Sequence, residues 1–364
     1  MEKLKIAIIG AGIAGLACAL ECERLGVTAE VFERQHSFGW MWPSITSWPI
    51  ILSNNNSDPI KYLKDTYNIN IKAALEEKII IIKSPNSEAR IEGKLLGYSL
   101  YRGKEVDSIE NQLSRELRKT AIHYNTLTNY KELSQKYDYV VVATGRDMEA
   151  KELGVWEEQG RISMMGAITL GSFEQDTSLI YFDTEYAGTG FARISPYSSS
   201  EAILALYVIY KGDFNTLQLD INRYFEKFLE KEKLDKLEIM NRIMKPPFST
   251  GKVNRFKIGN ILLAGRAAGL TDRLIGTGGI EAIISGVLAA RAMIRDEDYD
   301  KMLKPVQKHI ENISSFRKQI DEFDNNDFDK LVSFLGTPGI KQMLYNTGID
   351  FVDMVGSILK KFKG

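Results

Sequence analysis

The first 33 residues constrain this chain more than any other stretch. Lys5 to Ile9 reads as a buried strand, Gly10-Ala11-Gly12-Ile13-Ala14-Gly15 as a turn, Leu16 to Leu25 as a helix, and Val27 to Phe32 as a second strand ending at Glu33. Gly10 permits the tight reversal and Gly12 lets a pyrophosphate approach the backbone. Ile13 and Ala14 belong to the same turn and are counted with the cofactor residues, the unpaired amides at the start of the following helix face the anion, and Gly15 lets that helix lie close to the strand. A carboxylate at Glu33 accepts hydrogen bonds from the two ribose hydroxyls of an adenosine and repels a ribose phosphate, which favours FAD or NAD over NADP. Arg34, next in the chain, belongs to the same cofactor set. Lys3 and Lys5 before an apolar run imitate a signal peptide, but Glu21, Glu23 and Arg24 continue an amphipathic helix.

At 364 residues the chain has room for two domains, or for one nucleotide-binding domain with insertions. Its formal net charge of −1, with acids and bases interspersed, argues against a nucleic-acid partner. No uncharged apolar run reaches the roughly 18 residues of a spanning helix. Cys18 and Cys22 lie four apart in one helix, a spacing that suits buried reduced thiols and, without a targeting segment, a cytoplasmic setting.

Beyond Glu33 the loop through Trp40, Trp42 and Trp48 is rich in indoles, which cap a core or line an apolar ligand cavity. His36 stands apart from any other histidine or cysteine, so no metal is expected. Pro59 to Tyr67 and Lys72 to Lys78 read as short helices, and Ile79 to Ile82 and Ala89 to Leu100 as strands. Arg102 precedes Val106, Ile109, Leu113 and Leu117 at helical spacing, where a cation would reach cofactor phosphate or ribityl oxygens. The strand Tyr137 to Val142 breaks at Ala143-Thr144-Gly145, a second backbone approach to a ligand at a strand's carboxyl end. Alternating segments from Arg161 to Tyr210 read as an inserted antiparallel sheet. Asp220 to Leu237 is expected to pack on it as an amphipathic helix, and Pro246-Pro247 to end the excursion.

A third nucleotide-style stretch follows: the strand Asn260 to Leu263, the loop Ala264-Gly265-Arg266-Ala267-Ala268-Gly269, then Gly276-Thr277-Gly278-Gly279 and the helix Ile280 to Ile294. The partial positive charge at such a helix start would favour a reduced, anionic flavin by roughly 1–2 kcal/mol. With these residues in view, the chain resembles the geranylgeranyl reductase family of FAD-dependent oxidoreductases, within the para-hydroxybenzoate hydroxylase-like group. The resemblance spans residues 1 to 296 and is carried by Gly10 to Glu33, Arg102 with Asp107, Ala143-Thr144-Gly145, and Ala264 to Ala290 ending in Ser285-Gly286-Val287-Leu288-Ala289-Ala290.

Two departures stand out. Arg266 replaces the aspartate that in this family bonds the ribityl chain; it cannot accept that bond, but it can reach a pyrophosphate, so retained FAD with altered contacts is expected. Arg273 stands about where the family motif has a proline. The family's Tyr-x-Trp-x-Phe-Pro signature beside the substrate appears here as Phe191-Ala192-Arg193-Ile194-Ser195-Pro196, which puts Arg193 and Ser195 at one polar end of the cavity. Trp40-Met41-Trp42-Pro43 is superficially similar to the Trp-x-Trp-x-Ile-Pro signature of flavin halogenases, but stands before the substrate domain and is read as coincidence.

The resemblance implies an α/β fold: a Rossmann-like FAD-binding domain (residues 1–150 and 246–296) and an antiparallel-sheet substrate domain (151–245); the apolar spacing of Phe328, Leu331, Val332, Phe334 and Leu335, then of Ile349, Phe351, Val352, Val355, Ile358 and Leu359, reads as a C-terminal helical subdomain (297–364). It implies hydride transfer between reduced flavin and a C=C bond of an apolar or prenyl-lipid-like substrate, with NAD(P)H or a small redox protein as donor. A monooxygenase, or a scaffold that only binds a ligand, are the alternatives. Expected cofactor residues are Gly10, Gly12, Ile13, Ala14, Gly15, Glu33, Arg34, Arg102, Ala143, Thr144, Gly145, Gly265, Arg266, Gly276, Thr277, Gly278 and Gly279. Trp40, Trp42, Trp48, Phe191, Arg193 and Ser195 are expected to hold the substrate, and no catalytic acid or base is named. Lys360, Lys361 and Lys363 after an apolar helical face would suit an anionic membrane surface, though a docked terminal helix is favoured.

Overall fold

A computed structural model describes residues 4–39, 44–53, 57–210 and 220–339. In chain order the strands are β1 (Ile6–Ile9), β2 (Glu30–Phe32), β3 (Ser44–Pro49), β4 (Leu75–Ser84), β5 (Ser87–Arg102), β6 (Ala121–His123) and β7 (Tyr139–Val142). They continue as β8 (Trp156–Leu170), β9 (Thr177–Tyr181), β10 (Phe191–Pro196), β11 (Glu201–Tyr210), β12 (Glu238–Val253), β13 (Lys257–Ile258) and β14 (Ile261–Leu263). The helices are α1 (Ile13–Arg24), α2 (Pro59–Tyr67), α3 (Ile109–Glu116), α4 (Tyr130–Leu133), α5 (Met148–Glu152) and α6 (Thr184–Ala187). After them come α7 (Ile221–Lys231), α8 (Gly279–Arg295), α9 (Tyr299–Ser315), α10 (Arg317–Ile320) and α11 (Asn325–Leu335).

The first sheet runs β13-β14-β7-β1-β2-β6, parallel except for β13 against β14. Every residue of β1 is buried, as expected for a strand covered on both faces. Register sets Ile9 level with Val142 and Val142 level with Leu263. The amides of Ala143 and Ala264 then donate to Ile9 and Val142 carbonyls, each at 2.9 Å. Loops far apart in the chain are thereby gathered at the carboxyl ends of three neighbouring strands. Helix α8 lies hard against α1: a Cβ on Gly286 would stand 2.2 Å from the Ala14 carbonyl oxygen. Cys18 and Cys22 sit in that packing as free buried thiols, and the Cys18 thiol is pushed up by its hydrogen bond to Cys22 and by burial.

The second sheet runs β12-β8-β11-β10-β9-β4-β5-β3, antiparallel except for β4 beside β9. It is larger than the insertion read from sequence. The strands between residues 44 and 102 belong to it, because β5 pairs with β3 and β4, and β4 pairs with β9 through Ile79 and Thr177. Lys72 to Lys78 is not a helix; the β-branched run from Ile79 to Ile82 draws its flank into β4, with a register shift between Glu77 and Ile79. Pro246-Pro247 does not end the excursion either. It sits inside β12 at a register shift between Lys245 and Phe248, on the sheet's edge, where missing amide donors are tolerated. The second parallel strand is also shorter than expected, Glu30–Phe32.

Period-two alternation splits this sheet's faces. Ala192, Ile194, Leu204, Leu206 and Tyr181 point to a core under α7, whose Phe225 and Phe228 are fully buried. Phe191, Arg193, Ser195, Ile203, Ala205 and Ile180 point the other way, into a cavity. The C-terminal helices close that cavity: α11 is anchored on the β4–β5 turn, where Asp329 accepts from Ser84 Oγ (2.6 Å) and the Asn86 amide (2.9 Å). Among the described residues no helix is long and apolar enough to cross a membrane. The expected apolar positions from Ile349 to Leu359, and Lys360, Lys361 and Lys363, lie outside the described residues.

The contact of α8 with α1 leaves no room for a methyl group. Gly286→Ala should destabilise the fold by about 1–3 kcal/mol in chemical denaturation, and an unchanged midpoint would contradict this packing.

Candidate cofactor and substrate site

At the carboxyl end of β1, Gly10 adopts φ +102° and stands so close to Ala143 that a Cβ would lie 2.6 Å from its carbonyl oxygen. A Cβ on Gly15 would meet the Gly10 carbonyl oxygen at 1.9 Å. Gly12 is different: nothing lies within 4 Å of its Cβ position, so the backbone there fronts open space. Ile13 and Ala14 form the first turn of α1, whose N-cap Gly12 supplies no side-chain acceptor, leaving that helix start to an external anion. Glu33 is buried, with Oε2 accepting from the Ala11 amide and Oε1 from the Gln35 amide, both at 2.9 Å. Each carboxylate oxygen keeps a further lone pair for a hydroxyl. Those features suit the adenosine half of a dinucleotide. Arg34 points to solvent.

The other two loops sit beside this one. The Thr144 hydroxyl donates to Glu149 at 3.0 Å, and Gly145 has φ +69° with open space at its Cβ position. Gly265 packs against Ala14 and Ala282, and its amide donates to Ser285 Oγ at 2.9 Å. Between Gly265 and α8, Asp272 holds the loop by accepting from the amides of Leu274, Ile275 and Thr277 and from the Thr277 hydroxyl, at 2.7–2.8 Å. The Thr277 hydroxyl is therefore spent inside the protein, while Gly278 and Gly279 press against Leu270 and Trp48.

Arg102 ends β5, well before α3, and its guanidinium pairs at 2.9 Å with fully buried Glu110 in the first turn of that helix. Arg266 is half-buried and lies over the Phe248 ring, 4.3 Å from its centroid. Burial and then the Arg102 charge push Arg266 down to about 10, still charged at neutral pH. Lys245 is pushed further, to about 7, by burial and by Arg102 and Arg266. Sequence alone gave Lys245 no role, since one lysine before a proline pair carries no motif.

All three cations, with Gly276 and Thr277, line a cavity of about 300 Å³ between the second sheet and the C-terminal helices. Its walls are mostly apolar: Ile80, Ile82, Ile91 and Ile180 from the sheet, Phe316, Ile320, Leu331 and Leu335 from the helices. Phe191, Arg193 and Ser195 line it as well. Arg193 is tied to Glu77 at 2.5 Å and to Ser178 Oγ at 3.0 Å, and Glu77 also accepts from Ser99 Oγ at 2.7 Å. Trp48 is a correction. It is 2 % exposed and turned away from the cavity against the start of α8, because on β3 its neighbour Ser47 takes the cavity side. Trp40 and Trp42 lie outside the described residues.

Residues 4–170 match a family model described as pyridine nucleotide-disulphide oxidoreductase. A geranylgeranyl bacteriochlorophyll reductase-like protein from Thermoplasma acidophilum superposes over 99% of this chain and 100% of its own, with TM-score 0.73 at 16% identity. The chain has a flavoprotein fold. A flavin-dependent brominase shares that fold over 98% of each chain (TM-score 0.67, 14% identity), as does p-nitrophenol 4-monooxygenase from Pseudomonas putida over 100% of this chain and 98% of its own (TM-score 0.57, 14% identity). No curated protein sequence matches significantly.

Within this flavoprotein fold, the Glu77–Arg193 pair is an enclosed charge pair with both members facing the cavity, at side-chain exposures of 4% and 14%. Removing one member strands the other in an apolar wall. Glu77→Ala should cost about 3–5 kcal/mol, and adding Arg193→Met should recover part of that loss. A double variant no more stable than Glu77→Ala alone would show that the pair is not coupled.

Proposed function

We propose that this chain is an FAD-dependent oxidoreductase of the geranylgeranyl reductase type, saturating a C=C bond in an apolar or prenyl-lipid-like substrate. The observation that carries this reading is the cavity: isoleucines on one side, helix-borne apolar side chains on the other, and the loop of Arg266, Gly276 and Thr277 at its edge. An alkyl chain gains about 25 cal/mol for each Å² of apolar surface it buries there. Bound flavin would supply the two-electron chemistry. The open backbone at Gly12 and the first amides of α1 would hold its pyrophosphate, and Glu33 its ribose hydroxyls. Ala143-Thr144-Gly145 and Gly265-Arg266 would flank its ring-bearing half, with the start of α8 offering amides to a reduced ring.

The chain's own groups orient and exclude. Apolar walls keep water from the reacting carbons, and the Glu77–Arg193–Ser178 network fixes the polar part of the lining. The substrate is then amphipathic and bound with its chain along the isoleucines. Electrons come from NAD(P)H or a small redox protein.

The test is anaerobic. Protein reduced with dithionite and mixed with geranylgeraniol should convert it to a product heavier by one hydrogen molecule. A product heavier by one oxygen atom and formed only in air would make the chain a monooxygenase, and no product in either condition would overturn the substrate class.

A further inference from the structure

Tyr207 on β11 is level with Phe191 on β10 and with Met164 on β8, and all three side chains line the cavity. Its ring stacks on Phe191, with centroids 4.7 Å apart and planes at 22°. Its hydroxyl makes no hydrogen bond with any described residue. Arg193, on the same face of β10, is committed instead to Glu77 and Ser178. Other enclosed tyrosines are satisfied: Tyr186 donates to Glu232 at 2.8 Å, and Tyr299 to the carbonyls of Leu263 and Ser285 at 2.8 and 3.1 Å, as buried phenols generally do. Tyr197 also lacks a partner, but its hydroxyl is sealed inside the protein. The Tyr207 hydroxyl is enclosed by the molecule and still has open surface, which is the cavity's own. Stacking on Phe191 needs only a ring, which phenylalanine would supply. A hydroxyl held in an apolar wall without a partner costs free energy that a ligand atom would offset.

We propose that the Tyr207 hydroxyl is the point at which this cavity holds the oxygen of a ligand, a hydroxyl or carbonyl group at one end of an aliphatic chain. A phenol keeps its proton at neutral pH and donates to either group, and it can accept from an alcohol as well. From Tyr207 the chain has a long apolar course. Ile180 lies on β9, Ile80 and Ile82 on β4 and Ile91 on β5, and all four line the cavity. In the sheet order β11-β10-β9-β4-β5, four strand spacings separate Tyr207 from Ile91. At about 4.8 Å each, that course is roughly 19 Å. The ligand therefore lies across the strands, oxygen toward β11 and tail toward β5. Naming this ligand as the substrate rests on the function proposed above, whereas the binding site does not.

The experiment titrates the purified full chain and its Tyr207→Phe variant with methyl nonyl ketone and with the isostere in which a methylene group replaces the carbonyl oxygen. Phenylalanine keeps a ring against Phe191 and removes only the hydroxyl. The ketone is expected to bind the variant about three- to tenfold more weakly than the wild type, while the isostere binds both alike. Infrared spectroscopy reads the same contact directly. The stretching band of an isotope-labelled carbonyl should lie at lower frequency in the wild-type complex than in alkane solvent, and should return toward the alkane value in the variant. Equal affinity changes for the two probes would overturn the site. So would a wild-type band at the alkane frequency, a result that needs no variant to fold. Binding needs no turnover, so a chain that shows the ketone effect and leaves geranylgeraniol unreduced loses the reaction proposed above and keeps this site.

Discussion

The structure depends on how closely the ends of β1, β7 and β14 approach one another. Backbone hydrogen bonds from Ala143 and Ala264 hold the three strand ends level, and Gly10 fits against Ala143 only because it has no Cβ. The same economy recurs where Gly15 meets Gly10 and where Gly286 meets Ala14. These contacts bring α1, α8 and three loops to one edge of the sheet, where an open strip of backbone at Gly12 remains. Backbone left open at Gly12 and Gly145 is what remains once everything else is packed.

The second sheet solves a different problem with the same backbone. One face is sealed by α7, so the opposite face needs a cover, and the helices α9 to α11 supply it incompletely. The apolar residue spacing that satisfies packing under α7 leaves every second side chain in the cavity. There Glu77 is paired with Arg193, and Arg102 with Glu110. Polar and apolar side chains thus sit on adjacent strands of one surface.

How much was legible in the sequence follows from how local each signal is. The glycine turn from Gly10 to Gly15, the acid at Glu33 and the helix from Pro59 to Tyr67 are written in a few consecutive residues. Membership of β3, β4 and β5 in the second sheet is not, since it rests on β4 pairing with β9, a distant partner that alternation does not reveal. Phe191, Arg193 and Ser195 share a strand face, so finding one placed the others. Trp48 misled because aromatic content does not say which side of β3 an indole takes. Glu77 and Lys245 carry no motif; only the folded strands show that Glu77 pairs with Arg193 and that Lys245 lines the same cavity as Arg266.

In the function proposed above, the stretch from Gly10 to Glu33 and the Arg266 loop hold one flavin. The most direct measurement is the visible spectrum of protein purified without added flavin, followed by chromatography of the chromophore released on denaturation. The account predicts flavin absorption and FAD as the released species. FMN alone, or a colourless protein that takes up no FAD on reconstitution, would contradict it.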